Sequence, residues 1–220
     1  MRPAGACRLG RRLRRVTALV VAGLVVAGSA ALAGCSAQPN PVQPVRPSPT
    51  GSAGSAQSAP STGLTAYPAD QGPSVPVLTG ASLTGKRLRL PARSADVTVV
   101  NVWASWCGPC VAEMPVLASS MSRFADDSVV LRGIDTRDQA KAGRAFLASH
   151  HMRLPSLSDP DGALTARWSA LVPPMAVPST LVIDRSGRVL ARWIGPVTGK
   201  ALHQQVCRAL TAAASPPSGC

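Results

Sequence analysis

Val97-Thr98-Val99-Val100-Asn101-Val102-Trp103-Ala104-Ser105-Trp106-Cys107-Gly108-Pro109-Cys110 is the stretch that decides how this chain folds. Its first seven residues are apolar or β-branched almost throughout and read as a buried strand. From Val111 to Phe124 the pattern turns helical. The two cysteines therefore stand at a strand-to-helix junction, where they can close a small disulfide and reopen it. A helix N-terminus presents unpaired N–H groups and the positive end of its dipole to the first sulfur. That is expected to favour the thiolate of Cys107. Cys110, one turn into the helix, fits a buried resolving thiol. Half of a zinc site is the bland reading of the same pair. Zinc takes about four ligands, and the sequence offers no second Cys-x-x-Cys and no His pair at suitable spacing. Redox chemistry is favoured, with no metal and no cofactor expected.

The remaining elements can be read outward from that junction. Leu83 to Leu90, with Gly85, suggests a short hairpin. Pro115 should kink the first helix. Val129 to Ile134 reads as a second apolar strand ending at Asp135. Asp138 is expected to cap a helix reaching about His150, and Asp159 and Asp161 to open a short helix through Trp168. Thr180–Asp184 and Arg188–Ile194 alternate as two strands around Arg185-Ser186-Gly187, a hairpin signal. Thr198 caps a last helix to Leu210. This order predicts an α/β fold: a central mixed sheet with helices on both faces.

Several segments together resemble the thioredoxin superfamily, and within it the membrane-anchored TlpA/ResA-like thiol:disulfide oxidoreductases of bacterial envelopes. They are Asn101–Cys110, then Glu113-Met114-Pro115, then Val177-Pro178-Ser179-Thr180-Leu181-Val182-Ile183-Asp184, and Gly187-Arg188-Val189. The likeness runs from about Leu78 to about Ala212. It implies that Cys107 attacks a target disulfide and that Cys110 resolves the mixed disulfide. It makes Pro178 the cis-proline beside the pair, leaving the Val177 backbone to meet an incoming substrate strand. A trans proline in a loop that also holds Pro173 and Pro174 is the plain alternative. Trp106, Gly108, Pro109 and Val177 are the expected substrate-facing residues. Glu113 lies three residues past Cys110 on the same helix face. The resemblance makes it a proton carrier for the pair; otherwise it is a first-turn acid favoured by the helix dipole. Asn101 stands where thioredoxins proper have a buried Asp, which leaves Glu113 as the acid at the site.

The family's best-known role is reducing the heme-site cysteines of apocytochrome c during cytochrome c maturation. That implies disulfide-containing envelope proteins as partners and a membrane thiol reductant as donor. Oxidative folding of secreted proteins is the rival direction, since such motifs span potentials of about −270 to −120 mV. A redox-inert thioredoxin-like binding module is the other class.

The N-terminus fits an envelope protein. Residues 1–15 carry six Arg and no acid, residues 16–33 are apolar and small, and Leu32-Ala33-Gly34-Cys35 follows. This is a secretory signal whose ending resembles a bacterial lipobox, with Cys35 as the lipidated residue. A plain transmembrane anchor is the alternative. The expected division is a signal peptide over 1–34, a Pro/Ser/Gly-rich tether over 35–72, the thioredoxin-like domain over 73–212 and a tail over 213–220. The expected place is the outer face of the cytoplasmic membrane. The formal charge of +13 is partly the signal's: with its six Arg removed, 17 basic residues face 10 acidic ones, a net +7. No basic stripe interleaved with aromatics is present, so no nucleic-acid partner is expected. Signal removal and lipidation account for Cys7 and Cys35. Cys207 and Cys220 are left, and an oxidising compartment disfavours idle thiols. A Cys207–Cys220 disulfide is expected, with free or intermolecular thiols as the alternative. His203, four residues before Cys207, is only a weak metal signal.

Overall fold

The computed structural model describes residues 63–124, 128–214 and 219–220. The strands are β1 (Gly63–Ala66), β2 (Leu78–Ala81), β3 (Arg87–Leu90), β4 (Val97–Trp103), β5 (Val129–Thr136), β6 (Ser156–Asp159), β7 (Ser179–Asp184) and β8 (Val189–Ile194). The helices are α1 (Gly108–Ser122), α2 (Ala140–Ser149), α3 (Ala163–Ala166) and α4 (Gly199–Ala212). Six strands form one sheet in the order β1-β8-β7-β4-β5-β6. β4, β5 and β6 run parallel, whereas β7, β8 and β1 add antiparallel on the other side of β4. The mixed α/β sheet read from the sequence is what the chain forms.

β4 is the central strand because every one of its residues is buried. Its side chains alternate between two cores. Val97, Val99 and Trp103 join the core that holds Met114 and Leu117 of α1, Phe146 of α2, and Leu202 and Val206 of α4. Val100 and Val102 join the opposite core, with Leu78 and Leu90 of the β2–β3 hairpin and Trp168 beyond α3. Helices thus cover both faces. α1 runs unbroken through Pro115.

Three local expectations are corrected. The hairpin pairs Leu78–Ala81 with Arg87–Leu90, so it begins earlier than Leu83; Gly85 supplies the positive φ of its turn, at 82°. β6 stands where the sequence suggested no element: a short run without apolar alternation, it is held by its parallel ladder to β5. The tether expected to reach residue 72 loses its last part to the sheet. Gly63–Ala66 is an edge strand on β8, held by backbone pairing and by Arg192 Nη2 donating to Thr65 Oγ1 at 3.1 Å; its mostly exposed side chains give no strand pattern. Asp138 does not cap α2. The N-cap is Gln139, without a side-chain cap bond, and Asp138 accepts the Ser105 N–H of the loop before Cys107 instead. The signal peptide, the lipobox and most of the tether lie outside the described residues.

Candidate active site around the Cys107–Cys110 pair

Three chain segments meet at one end of the sheet. β4 delivers Trp103 to this end and continues into Cys107. β7 starts there too, because Ser179 pairs with Val102 across the antiparallel ladder. β5 ends beside them, with Asp135 opposite Trp103 in the parallel register. The turn from β5 to α2 and the Pro173–Val177 loop face each other across a small hollow lined by Arg137, Met175 and Val177.

Cys107 is the N-cap of α1, and Pro109 occupies its first turn. A proline suits that place because its missing N–H would have no partner in any case. Cys107 and Cys110 are joined as a disulfide, with their Cα atoms 5.3 Å apart. Cys107 Sγ also accepts the Cys110 N–H at 3.2 Å, which is the helix end acting on the sulfur. Cys107 is 4% exposed and Cys110 0%. The first cysteine is therefore the more accessible, although less open in the disulfide form than a partly exposed thiol would be, because it packs into the core with Trp103 and Cys110. Trp106 is 51% exposed and gives the site an apolar outer surface, so it flanks the pair rather than sealing it. Gly108 has open space where a side chain would stand. The Val177–Pro178 bond is cis. Val177 touches both cores, and its N–H donates to the Met175 carbonyl at 2.9 Å.

Glu113 is buried, at 2% exposed. Its Oε1 accepts the Val197 N–H at 2.7 Å and its Oε2 accepts Asn101 Nδ2 at 2.9 Å. Asn101 Nδ2 also donates to Thr180 Oγ1 at 3.1 Å. Burial raises the Glu113 pKa above the usual carboxylate range, and the hydrogen bonds from Val197, Asn101 and Thr180 oppose that rise only in part. A carboxyl so placed holds its proton more tightly than an exposed one, one helical turn past Cys110 in α1.

The sequence reading missed a second group of acids. Asp138 accepts the Ser105 N–H on Oδ2 at 2.6 Å and the Gln139 N–H on Oδ1 at 2.7 Å. Trp106 Nε1 donates to the Arg137 carbonyl at 3.0 Å. Two consecutive residues of the β5–α2 turn thus bond the two residues before Cys107. Asp135, 0% exposed, lies beside them. These contacts span more than thirty residues, and no local pattern announces them. The one signal was an acid just before a helix, which reads as a cap.

Cys207 and Cys220 are joined in the structure, with Cα atoms 5.8 Å apart. His203 stacks on Phe124, and its Nε2 lies 2.8 Å from the Gly219 carbonyl in the donating tautomer. His203, Cys207 and Cys220 bring their ligand atoms within 4.8 Å of one another, but the disulfide occupies both sulfurs. Cys35 lies outside the described residues. Among the described residues, no helix is long and apolar enough to cross a membrane.

A Cys-x-x-Cys at the N-terminus of a helix that follows the central strand, with a cis-proline at the start of the neighbouring strand, defines a thioredoxin-like protein. The chain belongs to the AhpC/TSA family, whose profile matches residues 71–192. It is similar to a thiol:disulfide interchange protein DsbE homolog of Paracoccus denitrificans, 38% identical over 116 residues, and to the thiol:disulfide interchange protein HelX of Rhodobacter capsulatus, 33% identical over 117. Each match covers 52% of this chain and spans 58% and 61% of those relatives' own lengths. Among solved structures it resembles a secreted thiol-disulfide isomerase from Corynebacterium glutamicum. That likeness has a TM-score of 0.61 and 25% identity, covering 69% of this chain and 92% of the other. A DsbF homologue from Corynebacterium diphtheriae gives 0.58 and 26%, covering 67% and 93%.

Proposed function

We propose that this protein is an extracytoplasmic thiol:disulfide oxidoreductase that uses Cys107 and Cys110 to reduce disulfides of envelope proteins such as apocytochrome c. The observation that carries the reading is the disulfide itself, with Cys107 Sγ at the N-cap of α1 and bonded to the Cys110 N–H. In the reduced protein, the Cys107 thiolate attacks one sulfur of the target. A mixed disulfide forms and the target's other sulfur leaves as a thiolate. Cys110 then loses its proton, with Glu113 the acceptor within the site, and attacks Cys107. The internal disulfide closes and the second target sulfur leaves. The target has gained two electrons and two protons. A membrane thiol reductant returns the pair to the dithiol. Trp106, Gly108, Pro109 and the Val177 backbone form the face that meets the target. A lipid on Cys35 holds the domain at the outer face of the cytoplasmic membrane.

The names of the two interchange proteins support disulfide exchange, and the Gly108-Pro109 dipeptide supports the reducing direction. A redox titration against glutathione tests both. A potential well below about −180 mV supports reduction, and a value at or above it favours oxidative folding. A Cys110→Ser protein should accumulate a mixed disulfide with its target through Cys107, and Cys107→Ser should not. Intact-mass analysis from the native host should find residues 1–34 removed and Cys35 lipidated; a retained N-terminus overturns the anchor.

A further inference from the structure

We infer that Asp138 is a positioning residue for the redox loop, and that Asp135, buried against it, controls the charge of that clamp. The inference deepens the proposed function and rests on it only for its effect on Cys107.

The geometry comes first. Cys107 follows two residues that are each tied to the same turn. The Ser105 N–H reaches Asp138 Oδ2 at 2.6 Å, and the Trp106 indole reaches the Arg137 carbonyl at 3.0 Å. Arg137 takes a left-handed conformation, φ 51°, which is strained for a residue with a side chain and persists only where neighbours enforce it. Here its N–H donates to the Asp159 carbonyl at 2.8 Å. The Asp159 carboxylate in turn accepts Thr136, Thr165 and the N–H groups of Leu164 and Thr165. The clamp is thus built on a second, fully bonded acid and is not a chance loop contact.

The charge follows. Asp138 is 8% exposed and accepts two backbone N–H groups, an arrangement that suits an ionised carboxylate. Asp135 is the opposite case. Neither of its oxygens meets a donor, and Gly143 of α2 packs so closely that a Cβ there would stand 2.2 Å from Oδ2. The charged groups that face Asp135 are Asp138 and Asp159, and burial with those two neighbours pushes its pKa up to about 8. Among the described residues no cation offsets them. The Arg137 guanidinium lies against Gly162, Arg144 bonds the Leu83 carbonyl, and the salt bridge among the described residues is Arg185–Asp96. As an acid, Asp135 can give its hydroxyl to Asp138. Once it ionises, two carboxylates face each other without a proton between them.

The consequence for the site has a sign. The Asp138 carboxylate holds the N–H of Ser105, two residues before Cys107, and negative charge on it opposes a thiolate at Cys107. A less stable thiolate makes the dithiol the better reductant. Asp138 therefore positions the loop and also biases the pair toward reduction.

The clamp can be tested without any turnover. In the oxidised full chain no active-site thiol titrates. The Ser105 amide and Trp106 indole resonances should then show an inflection near pH 8 that is absent in Asp135→Asn. Both resonances should shift together in Asp138→Ala. The same inflection persisting in Asp135→Asn, or its absence in the wild type, overturns the role of Asp135. For the charge, Asp138→Asn keeps an oxygen for Ser105 and loses the anion. The glutathione equilibrium of the pair should move about tenfold toward the oxidant, which is roughly 30 mV for this two-electron couple. No shift, or one in the reducing direction, overturns the bias. If Asp138→Asn does not fold, the Asp135→Asn titration still decides the clamp. If the Cys107–Cys110 pair does not exchange with glutathione at all, the proposed function fails while the resonance titration still reads the clamp.

Discussion

Asn101 and Glu113 hold each other in the core between β4 and α1, with Asn101 Nδ2 donating to Glu113 Oε2 at 2.9 Å. The other end of the same amide, Oδ1, is buried and meets no donor. An amide turned by half a revolution presents its oxygen where its nitrogen was. Asn101 can therefore donate to a Glu113 carboxylate and accept from a Glu113 carboxylic acid. A buried Asp at this place would instead set two acids against each other. This pairing lets one buried carboxyl be held in both protonation states, as the proton-carrier role proposed for Glu113 needs.

Glu113→Gln should slow the step in which Cys110 resolves the mixed disulfide by roughly a hundredfold, the usual scale for losing a placed acid–base group. The measurement is single-turnover kinetics against pH, and the limb that reports Glu113 should disappear. Stability gives a second readout. The folded-state pKa is raised above the unfolded value, so the folded chain holds the proton more tightly. That contribution is fully present below the ordinary carboxyl range and is lost as pH rises through the raised folded value. Wild-type Tm should fall with pH across that window more steeply than the Tm of Glu113→Gln. Equal slopes would remove Glu113 as a titrating group.

Alkylation of the reduced protein at mildly acidic pH should label Cys107 before Cys110. Cys107 caps α1 and keeps slight exposure, whereas Cys110 has none. Peptide mapping after a short iodoacetamide pulse reads the order. Preferential modification of Cys110 would reverse the roles assigned to the pair.

Gly133→Ala should destabilise the fold by about 1–3 kcal/mol, the common cost of overpacking a core. A Cβ on Gly133 would meet Ser156 Oγ at 2.2 Å and Trp103 Nε1 at 2.7 Å, the two partners of a 3.1 Å hydrogen bond. Denaturant melts measure the loss. Trp103 fluorescence should change with it, since the indole must give up Ser156.

Cys207→Ser should release the C-terminal residues and lower stability by up to about 3 kcal/mol in the chain-entropy account of a short closed loop. The redox equilibrium of Cys107 and Cys110 should stay as it was, because the two disulfides share no residue. Non-reducing peptide mapping of the wild type should recover the Cys207–Cys220 link. Free thiols at both positions in protein from the envelope would reject it.

The sequence by itself determined the central strand, the Cys-x-x-Cys junction and the terminal β7–β8 hairpin with its helix. Each is written locally: an unbroken apolar run, a Cys-x-x-Cys before a helical period, alternation around Arg185-Ser186-Gly187, and Thr198 placed to accept the Ala201 N–H. Only the tertiary structure decided the rest. β1 and β6 exist because neighbouring strands supply ladders to segments with no pattern of their own. Asp138 reads as a helix cap, since an acid before a helix usually satisfies the nearest free N–H groups. In the fold the Ser105 N–H, thirty-three residues away in sequence, comes within 2.6 Å and takes the carboxylate. Asp135 and Glu113 carry the same chemistry as any exposed acid until burial withholds water from them. That desolvation is a property of the packed core, and no stretch of sequence states it.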